Sequence, residues 1–483
     1  MAGIVGIARA NEEQLTARAL AKIAHRGGTG RHLQSHDHAT LGQAWPRAQE
    51  PYAIGADQHP VVLDGGTYNW TDLGVVATCP LEALAIAYRS LGPGFVADLH
   101  GPFALAIAAA DGVFVARDLL GRSPLYYGRH QGSLCFASEL KALAGWAEEI
   151  SEFPPGHYYD PTEGLVAFAR LETRPTLELP PDEIAAQLRH RLVASVRKRV
   201  GNGETGAWLS GGLDSATMTA LARRQVPRLD TFAAGIEDAP DLEYARAVAE
   251  FAGTQHHERI CTADEMLATL PEVIYHLESF DALLVRSSVM NFLAGRLASQ
   301  YVPAVLSGEG GDELFAGYAY LKSLDLADLP DELIDITRRL CNTALQRVDR
   351  CSASHGLVAR TGFLDRDVVE FALQIPVEMK LGGKDEPVEK WILRQAMEGL
   401  LPDEVLTRPK SKFWEGAGVG DLLATHAEKV ISDSEFRRQR ALPNGSRLRT
   451  KEELFYYRIF RDEFGDAISP DLIGRTKRPP VVR

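Results

Sequence analysis

The chain has 483 residues, 45% of them apolar and 24% charged, which suits packed cores and a division into two or three domains. Its 52 basic and 65 acidic side chains leave a formal charge of -13, against a general nucleic-acid binder but not against a local basic pocket for a nucleotide. Cys79, Cys135, Cys261, Cys341 and Cys351 are scattered without a CxxC, so neither a disulfide framework nor a structural zinc site is expected, and a reducing cytoplasm fits. The opening MAGIVGIARA has no basic stretch leading into a long apolar run, and no run of about 18 apolar residues occurs; neither a signal peptide nor a membrane span is expected.

In chain order, the first third reads as β-rich. Apolar runs such as GIVGI, FALAIAAADGVFVARD and SLCFASE are punctuated by glycine, with turns at ADGV and QGS. Leu81, Leu84, Ala85 and Tyr88 space a helix over Pro80–Ser90. Three prolines within residues 172–182 break both periods, and a domain boundary is placed near residue 180. Ile184, Leu188, Leu192, Val196 and Val200 then mark a helix with Pro181 and Asp182 in its first turn. Strands at Gly206–Leu209, Leu229–Gly235 and Val302–Leu306 alternate with helices at Ala216–Arg224 and Leu242–Ala252, which predicts a mostly parallel sheet with ligands at its carboxyl ends. Helices are expected at Pro387–Glu398 and Lys451–Phe464.

Two glycine loops fall at those carboxyl ends. The first, AWLSGGLDS (207–215), offers Ser210, Gly211, Gly212 and Ser215 to aim N–H and hydroxyl donors at phosphate, with a helix N-terminus behind them. Asp214 repels bare phosphate and makes sense as a Mg²⁺ ligand. The second, LSGEGGDELFAGY (306–318), carries Glu309, Asp312 and Glu313, which would repel one another without a cation among them. Asp312 is a second candidate metal anchor, Glu309 a candidate acceptor for the proton of an amine becoming an amide, and Glu313 reads as a helix N-terminal acid.

SGGLDS resembles the pyrophosphate loop of ATP pyrophosphatases, and both loops together resemble asparagine synthetase. PDLEYA (240–245), TQHHE (254–258), VIYHLESFD (273–281), FLD (363–365), EKWILRQA (389–396), RPKSKF (408–413) and TKEELFYYRIF extend the similarity over most of residues 183–465. The resemblance implies an adenine nucleotide α-hydrolase-like domain at 183–470, a parallel sheet with helical additions; residues 471–483, with their basic run, are expected to be a flexible, solvated tail. It implies ATP and Mg²⁺, with a carboxylate attacking the α-phosphate and an amine then displacing AMP. On that basis Leu209, Ser210, Gly211, Gly212, Asp214, Ser215, Gly235, Ser307 and Gly308 would bind ATP and pyrophosphate, and Asp214 and Asp312 the metal. Lys410 and Glu309 would be catalytic, with Arg286 and Glu309 contacting substrate; Arg286 suits a two-bond grip on a carboxylate.

GIVGI, HRG (25–27), GTYN (66–69), RDLLGRSPLYY and FASELKAL likewise resemble the family's glutaminase domain, an αββα Ntn-hydrolase-like sandwich expected over residues 1–175. Its chemistry needs a cysteine nucleophile and an oxyanion hole. Here Ala2 holds the nucleophile position, the family's RGPD reads Arg26-Gly27-Gly28-Thr29, its NGE reads Asp64-Gly65-Gly66 and its GSD reads Thr78-Cys79-Pro80. The first domain is therefore expected to be a structural partner without glutaminase activity.

The amine remains open among free ammonia, another small amine, the substrate's own amine as in β-lactam or lasso-peptide macrolactam synthetases, and ammonia from a separate protein. Glu309, where the β-lactam branch carries tyrosine, demotes that branch; lasso-peptide cyclases remain a competitor, against which the last hundred residues resemble asparagine synthetase more closely. Leu283 and Leu284 replace the family's threonines and argue for a less polar acid than aspartate or a reshaped pocket. A non-catalytic scaffold is the contrasting reading, and a sulfur-transferring enzyme of tRNA would want reactive cysteines and a basic face. Members of the family often form dimers, so a homodimer is allowed.

Overall fold

The computed structural model of the chain describes residues 2–28, 30–45, 60–110, 112–201, 204–383, 386–409, 416–417 and 422–477. The chain forms two compact units. One comprises residues 1–171, 353–358 and 461–473; the other comprises 172–352, 359–460 and 474–483. The division is thus more than the single cut that the proline-rich stretch suggested.

The first unit holds two sheets. One has the order β2-β3-β1-β8-β7-β9, from Gly30–His36, Ala39–Trp45, Gly3–Ile7, Ser133–Ala137, Tyr126–His130 and Glu148–Glu152. The other has the order β11-β10-β6-β5-β4, from Gly164–Ala167, His157–Asp160, Gly112–Arg117, Phe103–Ala109 and Val61–Gly65. Period-two alternation decides what each face meets. Val62, Ala104, Ala106 and Val115 pack with Ile4, Leu41 and Phe136 between the sheets. Val61, Leu63, Leu105 and Ile107 face the opposite way, onto Leu81, Leu84 and Ala85 of helix Pro80–Leu91. On the outer side of the first sheet, helix Glu13–Lys22 buries Thr16, Ala19 and Leu20, and a side chain on Gly42 would run into Thr16 and Leu20. The result is the expected αββα sandwich. β7 and β8 join through Gln131 and Gly132, with φ of 50° and 82°, the left-handed pair that matches hairpin twist.

The second unit is built on a sheet of order β14-β13-β12-β15-β16, from Gln255–Ile260, Asp230–Gly235, Thr205–Trp208, Ala304–Ser307 and Val358–Thr361. β14, β13, β12 and β15 run parallel, as the alternating pattern predicted. Helix Pro181–Val200 buries all five residues of its stripe, Ile184, Leu188, Leu192, Val196 and Val200. Full burial of such a side chain contributes about 1.5–3 kcal/mol.

Two expectations need correction. Residues 387–398 are not one helix: Val388–Glu389 pairs as a strand with Leu381–Gly382, Lys390 takes φ 57°, and the helix runs only from Trp391 to Ala396. A left-handed residue cannot continue a right-handed helix, so the turn ahead of it is lost. The tail expected to be flexible and solvated is anchored as far as Lys477. Thr476 donates to Asp281 through its N–H at 3.1 Å and its hydroxyl at 2.7 Å, and Lys477 pairs with Glu332 and Asp335, each at 2.7 Å. Residues 478–483 lie outside the described residues. Among the described residues, no helix is long and apolar enough to cross a membrane.

Candidate active site

β12 and β15 are direct neighbours in the sheet, so the loops that follow them emerge side by side. In the first loop the Ser215 hydroxyl donates to Gly212 O at 3.0 Å and accepts from Ser210 N at 3.1 Å, while the Ser210 and Ser215 hydroxyls lie 3.0 Å apart. Gly211 has φ 72°, and a Cβ there would fall 2.7 Å from Asp241 O, so only glycine lets the loop lie on helix Pro240–Ala252. Leu209 N bonds Phe232 O at 2.9 Å, which fixes the end of β12 to β13. Gly235 ends β13 against Ala239 and Leu242.

The second loop closes onto the first. A Cβ on Gly308 would sit 2.9 Å from the backbone of Asp214 and Ser215, and one on Gly311 would sit 2.6 Å from the Asp214 carboxylate. Ser307 is buried at the end of β15. Asp214 and Asp312 therefore converge, and what lies between them is Lys390: its ammonium is 2.6 Å from Asp214 Oδ2 and 2.5 Å from Asp312 Oδ1. The positive φ of Lys390 aims it there, and its neighbour Glu389 is held by Lys322 at 2.5 Å and Arg394 at 2.9 Å. The sequence reading passed over Lys390 by placing it inside a helix. The demand of two adjacent acidic loops for a counter-charge was the signal that could have found it.

The remaining acids have separate partners. Arg347 donates to Glu309 Oε1 at 2.6 Å. Glu313 is buried, which together with the charge of Asp312 raises its carboxyl to about 7, and Tyr318 donates its hydroxyl to it at 2.5 Å. Arg286 spends its fork on the chain's own Glu452, at 3.0 and 2.5 Å, and Tyr456 adds a hydroxyl to the same carboxylate at 2.9 Å. The two-bond grip foreseen for a substrate carboxylate is thus occupied by an internal one.

Lys410 lies outside the described residues, but its flanks are fixed. Arg408 donates to Asp241 at 2.6 Å and to Gly211 O at 3.3 Å and lies 3.9 Å over the Tyr244 ring. On the far side, a Cβ on Gly416 would meet Asp241 at 2.1 Å, and Ile236 N bonds Ala417 O at 3.1 Å. Arg394 ties Arg408 to the Lys390 turn by donating to Glu389 O at 2.9 Å and Arg408 O at 3.1 Å.

In the first unit, Ala2 is fully buried. Arg26, also fully buried, donates to Ala2 O at 2.7 Å, to Glu139 at 2.8 Å and to Asp64 at 3.2 Å. His25 lies 3.1 Å from Glu139, Lys141 pairs with Glu139, and the Ser138 hydroxyl is 3.4 Å from Asp64.

Two paired glycine loops with a shared lysine in one unit, and an αββα sandwich in the other, can be set beside known proteins. The asparagine synthase family matches residues 187–340 and 327–478, and the glutamine amidotransferase domain family matches residues 1–159. A probable glutamine-hydrolyzing asparagine synthetase of Schizosaccharomyces pombe is 37% identical over 438 residues, covering 82% of this chain and 77% of that protein.

The chain belongs to the asparagine synthetase family.

Asparagine synthetase 1 of Saccharomyces cerevisiae, also named as glutamine-hydrolyzing, is 33% identical over 85% of this chain and 82% of its own length. A probable asparagine synthetase of Dictyostelium discoideum, named likewise, is 31% identical over 95% of this chain and 93% of its own. The chain is accordingly a carbon–nitrogen ligase that turns ATP into AMP and pyrophosphate, with an amidotransferase-like first domain and an asparagine synthase domain.

Proposed function

We propose that this asparagine synthetase relative adenylates a carboxylate and transfers it to ammonia or another small amine without hydrolysing glutamine. The convergence of Asp214 and Asp312 on one cation, at the foot of a loop rich in N–H and hydroxyl donors, carries the adenylation half. Ser210, Gly211, Gly212 and Ser215 would cradle the pyrophosphate end of ATP, together with Leu209, Gly235, Ser307 and Gly308 at the ends of their strands. Lys390 would follow the departing pyrophosphate, and Lys410, two residues from the anchored Arg408, would add a second positive charge.

The two carboxylates suit Mg²⁺. They are hard oxygen donors aimed at one point, and a Mg²⁺ on nucleotide needs only one or two protein carboxylates beside phosphates and water. Asp214 and Asp312 would hold the Mg²⁺, which would supply positive charge to offset that of the phosphates. Glu309, on the same loop as Asp312, would take the proton from the nitrogen as the amide forms.

Loss of glutamine hydrolysis is supported by the surroundings of Ala2. A methyl group cannot attack an amide. Asp64 offers only acceptor oxygens, one of them engaged by Arg26, where an oxyanion needs donors. Cys79, Cys135 and Cys261 are free thiols, in keeping with a reducing cytoplasm.

Exchange of labelled pyrophosphate into ATP, across a panel of carboxylic acids that includes L-aspartate, tests the reading. Acid-dependent exchange with AMP as product is expected, and glutamine should release no glutamate. Formation of ADP, or glutamate release at the rate of amide formation, would reject it.

A further inference from the structure

Glu309 is bound by one residue among those described, Arg347, and by only one of its two oxygens. The Glu309 side chain keeps 20% of its surface exposed, while Arg347 is the less exposed of the pair at 14%. A carboxylate on a glycine-flanked loop has little else to fix its direction, since Gly308 and Gly310 on either side carry no side chains that pack.

Arg347 lies on helix Ala344–Ala353, whose position is set elsewhere. Gln346 donates to Leu277 O at 2.8 Å, at the carboxyl end of helix Ala263–Leu277, and Arg350 pairs with buried Glu278 at 3.2 Å. The helix is therefore a fixed support that presents an arginine to Glu309 from outside the loop.

We infer that Arg347 is a positioning residue for amide formation, holding one oxygen of Glu309 so that the other receives the proton of the attacking amine. The inference rests on the adenylation reading above. In the step, the amine nitrogen forms a bond to the acyl carbon and the acyl–oxygen bond to AMP breaks, its electron pair leaving on the AMP oxygen. The proton released by nitrogen goes to the free oxygen of Glu309. Arg347 touches none of the reacting atoms. It stops the carboxylate from turning away.

The test uses the full-length Arg347→Met and Arg347→Lys variants, each assayed for ATP–pyrophosphate exchange with the acid the wild type accepts best and for amide formation with ammonium chloride across pH 6.5–9. With Arg347→Met, exchange should stay within about 3-fold of wild type while amide formation falls on the order of 10²-fold, the usual worth of a placed proton acceptor. The loss should shrink as rising pH lets hydroxide take the proton, and Arg347→Lys should recover part of the rate. Parallel loss of exchange and amide formation would make Arg347 a structural residue only and overturn the inference, as would unchanged rates in both. Absence of exchange in the wild type with every acid would instead reject adenylation, and this inference with it.

Discussion

The ammonium of Lys390 stands 2.6 Å from Asp214, a residue 176 positions earlier in the chain, and bridges it to Asp312. Removing the cation while keeping the volume, as in Lys390→Met, leaves two largely buried carboxylates facing each other. Breaking such a pairing costs about 3–5 kcal/mol. Mg²⁺ should restore part of that loss, so the melting temperature of Lys390→Met should rise more with Mg²⁺ than that of wild type. Pyrophosphate exchange should fall on the order of 10²-fold, the size of effect seen when a donor to developing charge is removed. An identical Mg²⁺ response in both proteins would show that the two aspartates do not share a cation site.

Restoring a cysteine should not restore glutaminase activity. In Ala2→Cys the thiol would arrive beside an Arg26 whose fork is held by Asp64 and Glu139. Glutamate release is expected to stay at background in Ala2→Cys and to become measurable only with Asp64→Asn as well, which returns an amide donor to that position. Ready hydrolysis by the single variant would show that Asp64 is no obstacle.

Arg286 separates a structural role from a substrate contact. Its pair with Glu452 is almost entirely buried, at 13% and 3% exposure. Arg286→Met should therefore destabilise the fold by about 3–5 kcal/mol, with a clear fall in melting temperature. A pure substrate grip would instead raise KM for the acid and leave the melting temperature alone.

Lys380 gives a pH-dependent stability. Among the described residues it makes no ion pair, and burial lowers its amine to about 7 from 10.5. Between those values the unfolded chain binds more protons than the folded one, so stability from this group rises as pH climbs from about 7 towards 10.5. Below about 7 both states are protonated and the cost of burying the charge is present in full. Lys380→Met should melt higher than wild type at pH 7, by roughly 2–4 °C per kcal/mol relieved, and the advantage should shrink by pH 9.5. An advantage constant with pH would mean that packing, not charge, sets the difference.

What could be read from the sequence was what repeats or punctuates. β12 and β15 are apolar runs that end in glycine, and the stripe from Ile184 to Val200 is a regular four-residue spacing, so these came out within a few residues of their observed ends. β2 was missed because it is an edge strand, paired among the described residues with β3 alone and with none of its residues buried, so GRHLQSH carries no apolar alternation. Lys390 escaped because a left-handed lysine has no signature of its own. Arg347 escaped because an arginine in a helix gives no sign of which distant acid it will meet. Arg408 sat in a motif that was noticed, but only Lys410 of that motif was weighed.

Arg347 and Arg350 stand three positions apart on one helix, and each reaches a different glutamate. That spacing works as a ruler. One extra residue between them would swing the second arginine by about 100° around the axis, and the chain could then satisfy Glu309 or Glu278 but not both. Point substitutions along this helix should be absorbed far more readily than any change in its length.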